Sequence, residues 1–244
     1  MLSAQVQTTL RAIFPPSCLS CRGLVASDYG LCGECWRDLP LISGPACRSC
    51  GIPVLAEADD DTALCEDCTA RPRPWRQGRS ALHYKDLGRK LVLGLKHNDR
   101  HDIAPAAGLW LSQAAKPLLE SDTIIAPVPL HWSRLVKRRY NQSAVLVHAL
   151  GTRVMRRTVL DLLIRTERTL PLDGVSVEQR FKRMAGVIQP NPKRLDRIVG
   201  AKILLVDDVM TSGATFAACT EACLAAGAAR VDVLSLARVA KDEH

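Results

Sequence analysis

Lys202-Ile203-Leu204-Leu205-Val206-Asp207-Asp208-Val209-Met210-Thr211-Ser212-Gly213-Ala214-Thr215 is the stretch that decides the reading of this chain. Ile203 to Val206 is a fully apolar run of the kind found in a strand buried on both faces. Gly213 to Ala226 is rich in alanine and predicts a helix. Between them stand two carboxylates, and each residue type there has a task. Asp207 and Asp208 can accept hydrogen bonds from a diol and hold Mg²⁺-bound water. The loop from Val209 to Thr215 enters the helix, so Thr211, Ser212, Gly213, Ala214 and Thr215 bring backbone N–H groups to a helix N-terminus, where an anion is favoured. Gly213 permits close approach of the backbone, and Thr211 and Thr215 add hydroxyl donors.

Other origins of an acidic strand end fit less well. A nucleotide-binding strand of the Walker B type needs a Gly-x-x-x-x-Gly-Lys-Ser/Thr loop, and the chain has none. A receiver domain opens with such a strand, but only 36 residues follow Asp208. A plain strand end with no ligand is the bland alternative.

Working outward, strands and helices alternate. Gln77 to Tyr84 suits a strand and Leu87 to Lys96 an amphipathic helix. Ile103 to Leu119 predicts a second helix ending near Pro117. Thr123 to Val128 is a buried strand closed by prolines. Asn141 to Met155 predicts another helix, and Val231 to Leu236 a last strand. This order implies an α/β fold with a mostly parallel sheet flanked by helices. Ligands of such sheets bind beyond the carboxyl ends of the strands.

The first part of the chain is different. Of ten cysteines, eight lie in the first 68 residues as four Cys-x-x-Cys pairs: Cys18/Cys21, Cys32/Cys35, Cys47/Cys50 and Cys65/Cys68. A two-residue spacing lets both thiolates of a pair reach one tetrahedral Zn²⁺. Eight ligands make two Cys₄ sites, with gaps of ten and fourteen residues inside the successive couples of pairs, as in zinc ribbons. Sequential pairing is the simplest arrangement, and a cross-braced one (first with third, second with fourth) satisfies the spacing equally. Disulfides are disfavoured in a reducing cytoplasm. Four such pairs in succession argue against a redox motif, and the paired spacing fits zinc better than an iron–sulfur cluster. All-cysteine sites leave no open position for water activation, so the zinc reads as structural. About 50 residues cannot bury a sufficient core alone, and metal would supply folding free energy. Cys219 and Cys223, one helical turn apart among alanines, read as buried core thiols.

Two prolines in Arg71-Pro72-Arg73-Pro74-Trp75 predict an extended connection. The expected division is residues 1–70, an N-terminal helix and double zinc ribbon, and residues 76–244, the α/β domain. Leu2, Val6, Leu10 and Ile13 share one face of that first helix. The N-terminus lacks a basic start and a continuous apolar stretch, and no apolar run spans a membrane, so a cytoplasmic protein is expected. Apolar residues are 47% of the 244, enough for a real core, while aromatics at 4% are too few for a base-stacking platform. A net charge of +8 suits phosphorylated metabolites, nucleic acid or an acidic membrane face, or is ordinary surface basicity.

The strand, acid pair and Val209 to Thr215 together resemble the phosphoribosyl pyrophosphate signature of type I phosphoribosyltransferases. A narrower resemblance covers nearly the whole chain. Phe14-Pro15-Pro16-Ser17-Cys18-x-x-Cys21, the later cysteine pairs, Leu95-Lys96, Pro127-Val128-Pro129-Leu130-His131, Arg138-Arg139-Tyr140-Asn141-Gln142 and the terminal loop occur in that order. This is similar to the ComF family, in which a double zinc ribbon is fused to a type I phosphoribosyltransferase-like domain and which is associated with natural transformation. The resemblance implies that Asp207 and Asp208 hold the ribose and Val209, Met210, Thr211, Ser212, Gly213, Ala214 and Thr215 the 5′-phosphate. It implies a pyrophosphate loop at Pro127 and Val128, and makes Lys96 and Arg139 cations near that ligand, with Mg²⁺ accompanying phosphoribosyl pyrophosphate. If active, the protein would be a glycosyltransferase whose acceptor the motifs do not name. Otherwise it senses the ligand without turnover, or handles single-stranded DNA or DNA-uptake proteins through its basic surface. Arg134, Lys137, Arg138 and Arg139 read equally as a solvated basic turn. The chain departs from the family at Arg138-Arg139-Tyr140, where Arg-Gly-Phe is usual. In the flap segment, Arg165 to Gly186, Leu172 and Arg183 replace a customary Gln and Asn, whereas Arg165 and Arg180 are kept.

Overall fold

The structure is a computed structural model that describes residues 14–57, 62–97, 100–167 and 174–240. The expected helix before Phe14 lies outside the described residues. Among the described residues, the cysteine-rich part contains two short helices, α1 (Gly33–Arg37) and α2 (Glu66–Ala70). Beyond it come β1 (Gly78–His83), α3 (Asp86–His97), α4 (Ala104–Ala114), β2 (Ile124–Pro127), α5 (Trp132–Arg138), α6 (Gln142–Val154), β3 (Leu163–Arg165), α7 (Val177–Met184), β4 (Ile188–Pro190), β5 (Lys202–Met210), α8 (Ala214–Ala225) and β6 (Arg230–Arg238). Four strands form one sheet in the order β1-β6-β5-β2, and every pairing in it is parallel. β3 and β4 form a separate antiparallel pair.

Two sequence expectations need adjusting. The strand before the acid pair does not stop at Val206: β5 continues through Met210 against β6, so Val209 and Met210 belong to the strand and the loop starts at Thr211. Ladder bonds to β6 keep the backbone extended past the point where side-chain hydrophobicity ends. The helix expected from Ile103 to Leu119 is α4 with a 3₁₀ turn at each end, at His101–Ile103 and Lys116–Leu118. Pro117 removes a backbone donor, which ends the α-helical ladder. The flap segment holds a helix, α7, started by a capping box between Ser176 and Gln179.

Strand residues alternate between two cores, one on each face of the sheet. Ile203, Leu205, Val231 and Val233 face one core, which contains Phe216, Ala217 and Cys219 of α8. Leu204, Val206, Leu234 and Leu236 face the other, with Leu91 and Leu95 of α3, Leu111 of α4 and Leu146 and Leu150 of α6. Cys219 and Cys223 are buried thiols, as their spacing suggested.

The two cysteine modules occupy opposite faces. Cys47, Cys50 and Cys68 are buried in the α8 core, while Leu19 and Leu39 of the first module join the α3/α4/α6 core. The chain between them lies along the free edge of β1: Ile42 N–H donates to Ala81 O (3.0 Å) and His83 N–H to Pro40 O (2.8 Å). This covers a strand edge that would otherwise present unpaired backbone groups. Gly51 and Gly78 allow the second module to lie this close. A Cβ at Gly51, where φ is +71°, would fall 2.6 Å from Ser80 N, and one at Gly78 would fall 2.3 Å from Ser49 O. The Arg71–Trp75 segment bends at Arg71, Pro74 and Trp75, and it is not a solvated tether. Trp75 is buried, donates its indole N–H to Ser49 O at 2.6 Å and meets Phe216 edge-on with ring centroids 6.2 Å apart. Among the described residues no helix is long and apolar enough to cross a membrane.

Gly78→Ala is therefore expected to destabilise the protein by on the order of 2 kcal/mol through overpacking against backbone. Gly33→Ala, whose Cβ would meet nothing within 4 Å, is expected to leave the melting temperature unchanged. Thermal melts of the two variants check this; equal melting temperatures would mean the second module is not pressed onto β1.

Candidate functional site

The metal sites are built from tight turns. The cysteines group as Cys18, Cys21, Cys32 and Cys35, and as Cys47, Cys50, Cys65 and Cys68, with all sulfurs of a group within 4.8 Å of one another. The pairing is sequential, not cross-braced. Cys21 Sγ and Cys32 Sγ are 3.7 Å apart, as are Cys50 Sγ and Cys65 Sγ. A tetrahedron with Zn–S of about 2.3 Å has an edge of about 3.8 Å, so the separation fits thiolates around one zinc ion. It excludes a sulfur–sulfur bond, which needs about 2.05 Å. Backbone amides of Ser20 and Cys32 point at Cys18 Sγ, both at 3.4 Å, the arrangement that stabilises a thiolate. Within the second group, hydrogen bonding to Cys50 pulls Cys65 down to about 6, and hydrogen bonding to Cys47 pushes Cys68 up to about 11. Thiols so close cannot ionise independently without a cation among them. The two Cys₄ sites are consistent with two structural zinc ions.

At the carboxyl ends of the strands, three of the four residues expected to act together do meet. Lys96, at the end of α3, places Nζ 3.2 Å from Asp208 Oδ1. Asp207 Oδ1 accepts from Ser143 Oγ at 2.7 Å and from the Asp208 amide at 2.9 Å. Segment 140–142 fixes both supports. Tyr140 Oη donates to Leu95 O at 2.6 Å, and Gln142 Nε2 to Lys96 O at 3.4 Å, which anchors the end of α3. Asn141 caps α6 by accepting from Ser143 N–H, and its Nδ2 donates to Val128 O at 3.0 Å. Pro127 ends β2 beside Val206, and Val128 N–H donates to Val206 O at 2.9 Å, so the residues after β2 stand next to the acid pair. Arg139 is separate: its backbone ends α5 at a φ of 65°, its side chain is exposed, and among the described residues no ion pair joins it to the acid pair.

The loop after β5 is shaped from behind. Buried Arg238 donates through one nitrogen to Met210 O (3.1 Å) and Thr211 O (2.7 Å). Arg73 donates to Ser212 O at 2.9 Å. A trans peptide points its C=O and the following N–H in opposite directions. With the carbonyls of Met210, Thr211 and Ser212 turned inward, the amides of Thr211, Ser212 and Gly213 face outward. Among the described residues none of these three amides donates to a protein acceptor. Gly213 takes a φ of 82° at the cap of α8, where a side chain would also approach the Trp75 ring at 3.0 Å. Met210 is buried, so it contributes its carbonyl to the loop's support and no side chain to its surface.

Ser143, Arg73 and Arg238 were not singled out in the sequence as site residues. Arg73 stands in a proline-rich connection and Arg238 at a strand end, and neither position carries a local signal.

The Asp207 carboxyl is pushed up to about 7, first by burial and then by the Asp208 charge, against the pull of Ser143 and the Asp208 amide. Such a group holds its proton more tightly folded than unfolded. Its cost to stability is absent below the unfolded value of about 4, grows as pH rises, and is complete above about 7. Asp207→Asn keeps the acceptor for Ser143 and removes the charge. The variant is expected to melt several degrees above the parent at pH 8 and by a clearly smaller margin at pH 5, read by differential scanning fluorimetry. The same offset at both pH values would contradict the raised carboxyl.

Residues 9–76 match the double zinc ribbon domain. The DNA utilization protein YhgH of Salmonella typhi is 32% identical over 236 residues, covering 92% of this chain and 97% of the relative. Competence protein F of Haemophilus influenzae is 25% identical over 227 residues, covering 91% and 96%. Competence protein ComFC of Bacillus subtilis is 27% identical over 199 residues, covering 79% and 77%. Among solved structures, a hypoxanthine phosphoribosyltransferase of Trypanosoma cruzi overlaps 64% of this chain and 70% of its own at 12% identity with a TM-score of 0.35, a likeness too slight to carry weight. An all-parallel sheet flanked by helices, two Cys₄ modules ahead of it and relatives matched over nearly their full length place the chain in one group: it belongs to the ComF family.

Proposed function

We propose that the site binds phosphoribosyl pyrophosphate and transfers its phosphoribosyl group to an acceptor. The observation that carries this is the pairing of outward amides at Thr211, Ser212 and Gly213 with two carboxylates one strand-end away. Amides at a helix N-terminus suit a 5′-phosphate. Asp207 and Asp208 accept from a ribose diol. The residues after β2, Pro127 and Val128 first, would face the pyrophosphate, with Lys96 and Arg139 as its cations. Mg²⁺ bound with the ligand would neutralise the leaving pyrophosphate. In the transfer, a nucleophile attacks the anomeric carbon, the bond from that carbon to the pyrophosphate oxygen breaks, and pyrophosphate leaves with the electron pair. The chain's contribution is then positioning and charge. Residues 1–70 would form the zinc-bound module and 76–244 the ligand-binding one.

Calorimetric titration of zinc-replete protein with phosphoribosyl pyrophosphate and Mg²⁺ is expected to give saturable heat. The Asp207→Asn/Asp208→Asn double variant is expected to give none. A parent that releases no heat either would remove this ligand from the site.

A role in competence and DNA handling is the second reading. The names of the relatives favour it, and so does helix α5, which exposes Trp132 (68%), Leu135 and Val136 within a stretch containing Arg134, Lys137, Arg138 and Arg139. An exposed aromatic in a basic stretch of sequence offers one ring to a single strand, with stacking on it worth about 1–3 kcal/mol per base. Anisotropy titrations with a labelled single-stranded oligonucleotide are expected to show affinity that falls steeply with salt and weakens about tenfold or more in Trp132→Ala. Salt-insensitive or absent binding would end this reading.

A further inference from the structure

Arg73 reaches three groups that have no other reason to meet. Its Nε donates to Cys68 Sγ at 3.4 Å, one terminal nitrogen to Asp67 Oδ2 at 2.8 Å, and the other to Ser212 O at 2.9 Å. The side chain is 2% exposed. The guanidinium fork thus links a sulfur of the second Cys₄ site to the middle carbonyl of the loop after β5. Trp75, two residues on, closes against Gly213 of the same loop. The guanidinium also lies 5.9 Å from the ring centre of Phe181 on α7, while Arg71 lies 5.1 Å from that ring and pairs with Glu178 at 2.7 Å. A basic pair in the connection therefore touches the second metal module, the loop and the flap helix together.

We propose that Arg73 is a positioning residue that couples the second Cys₄ site to the loop at 211–215. The inference deepens the ligand reading above and rests on it for its affinity readout only. A buried guanidinium is stable where it is paired. With zinc in place, the four thiolates carry a net negative charge that fixes Nε at Cys68. The rigid planar fork then fixes the nitrogen that holds Ser212 O, and so the direction of the Gly213 amide. Metal loss frees Cys68, and Arg73 with it, and the loop amide loses its orientation. Linkage requires the converse: an anion on the loop must tighten the second metal site and leave the first unaffected.

The test uses zinc-replete full-length protein and compares the parent with Arg73→Lys and Arg73→Gln. Lysine keeps the cation beside Cys68 but offers a single point charge that cannot also hold Ser212 O, so a role in packing or net charge alone would be rescued by it. Backbone amide NMR shifts of residues 211–215, measured without ligand, are expected to move from their parent positions in both variants. Titration with phosphoribosyl pyrophosphate and Mg²⁺ is expected to show at least tenfold weaker binding in both. Pulse alkylation under a zinc chelator, read peptide by peptide, is expected to show the ligand slowing modification of Cys47, Cys50, Cys65 and Cys68 in the parent only. Cys18, Cys21, Cys32 and Cys35 should be unaffected. Parent-like loop amide shifts in Arg73→Lys overturn the coupling, as does equal protection of both cysteine groups. If the parent binds no ligand while the loop amide shifts still respond to Arg73, the ligand reading fails and the positioning role stands. Should Arg73→Gln fail to fold, Arg73→Lys alone decides.

Discussion

A loop can offer successive amides to a ligand only if the carbonyls preceding them are held away from it. Backbone planarity makes this a constraint and not a preference: Met210 O, Thr211 O and Ser212 O must turn inward together for the amides of Thr211, Ser212 and Gly213 to turn outward. Inward carbonyls need buried donors, and a run of them needs donors that reach several acceptors. Arg238 and Arg73 supply these. Buried guanidinium groups in turn need negative charge nearby. Asp67 provides part of it for Arg73. The second Cys₄ site provides more, since four thiolates around a divalent zinc carry a net charge of about −2. Arg73 touches Cys68. Loop shape, buried cations and the metal site form one electrostatic unit.

The placement of the two ribbons follows from the sheet. Alternation along β5 and β6 divides the interior into two cores, and the segment between the ribbons runs along the β1 edge, leaving one ribbon on each face. The faces are not equivalent. On the α8 side, three of four cysteines are buried within the main core, whereas in the first group Cys21 is exposed and only Cys18 is buried. The second ribbon is a component of the interior. The first is attached chiefly through Leu19 and Leu39.

What could be read from the sequence was whatever local pattern determines. The run from Ile203 to Val206, the alternation of strands with helices and the spacing of four cysteine pairs each carry their meaning within a few residues. So does the acid pair followed by Thr211 to Thr215, and Lys96 was placed beside it by resemblance. What could not be read was set by long-range partners. Whether the cysteine pairs join sequentially or crosswise depends on chain path, and both satisfy the spacing. The extension of β5 through Met210 depends on β6, a strand met later in the chain. Arg73 was hidden because two prolines make its segment look like a tether, although its contacts lie as far off as Ser212. Arg139 shows the limit of adjacency: it is next in sequence to Tyr140 and Asn141, which support the acid pair, yet its own side chain is exposed and makes no ion pair with that pair among the described residues.

The acid pair shows what such a site demands of its surroundings. Two adjacent carboxylates at a buried strand end repel each other, and burial raises Asp207 toward neutrality. An isolated pair there would hold a proton and lose acceptor strength. Lys96 offsets the charge of Asp208, and Ser143 with the Asp208 amide stabilises the ionised form of Asp207. Both supports are fixed from one segment: Tyr140 and Gln142 hold the end of α3 that carries Lys96, while Asn141 caps the helix that carries Ser143. Tyr140 contributes through its hydroxyl a bond to Leu95 O that a phenylalanine would have no group to make. The end of α3, and with it the Lys96–Asp208 pair that the acid site depends on, is therefore held by hydrogen bonds from a single short segment.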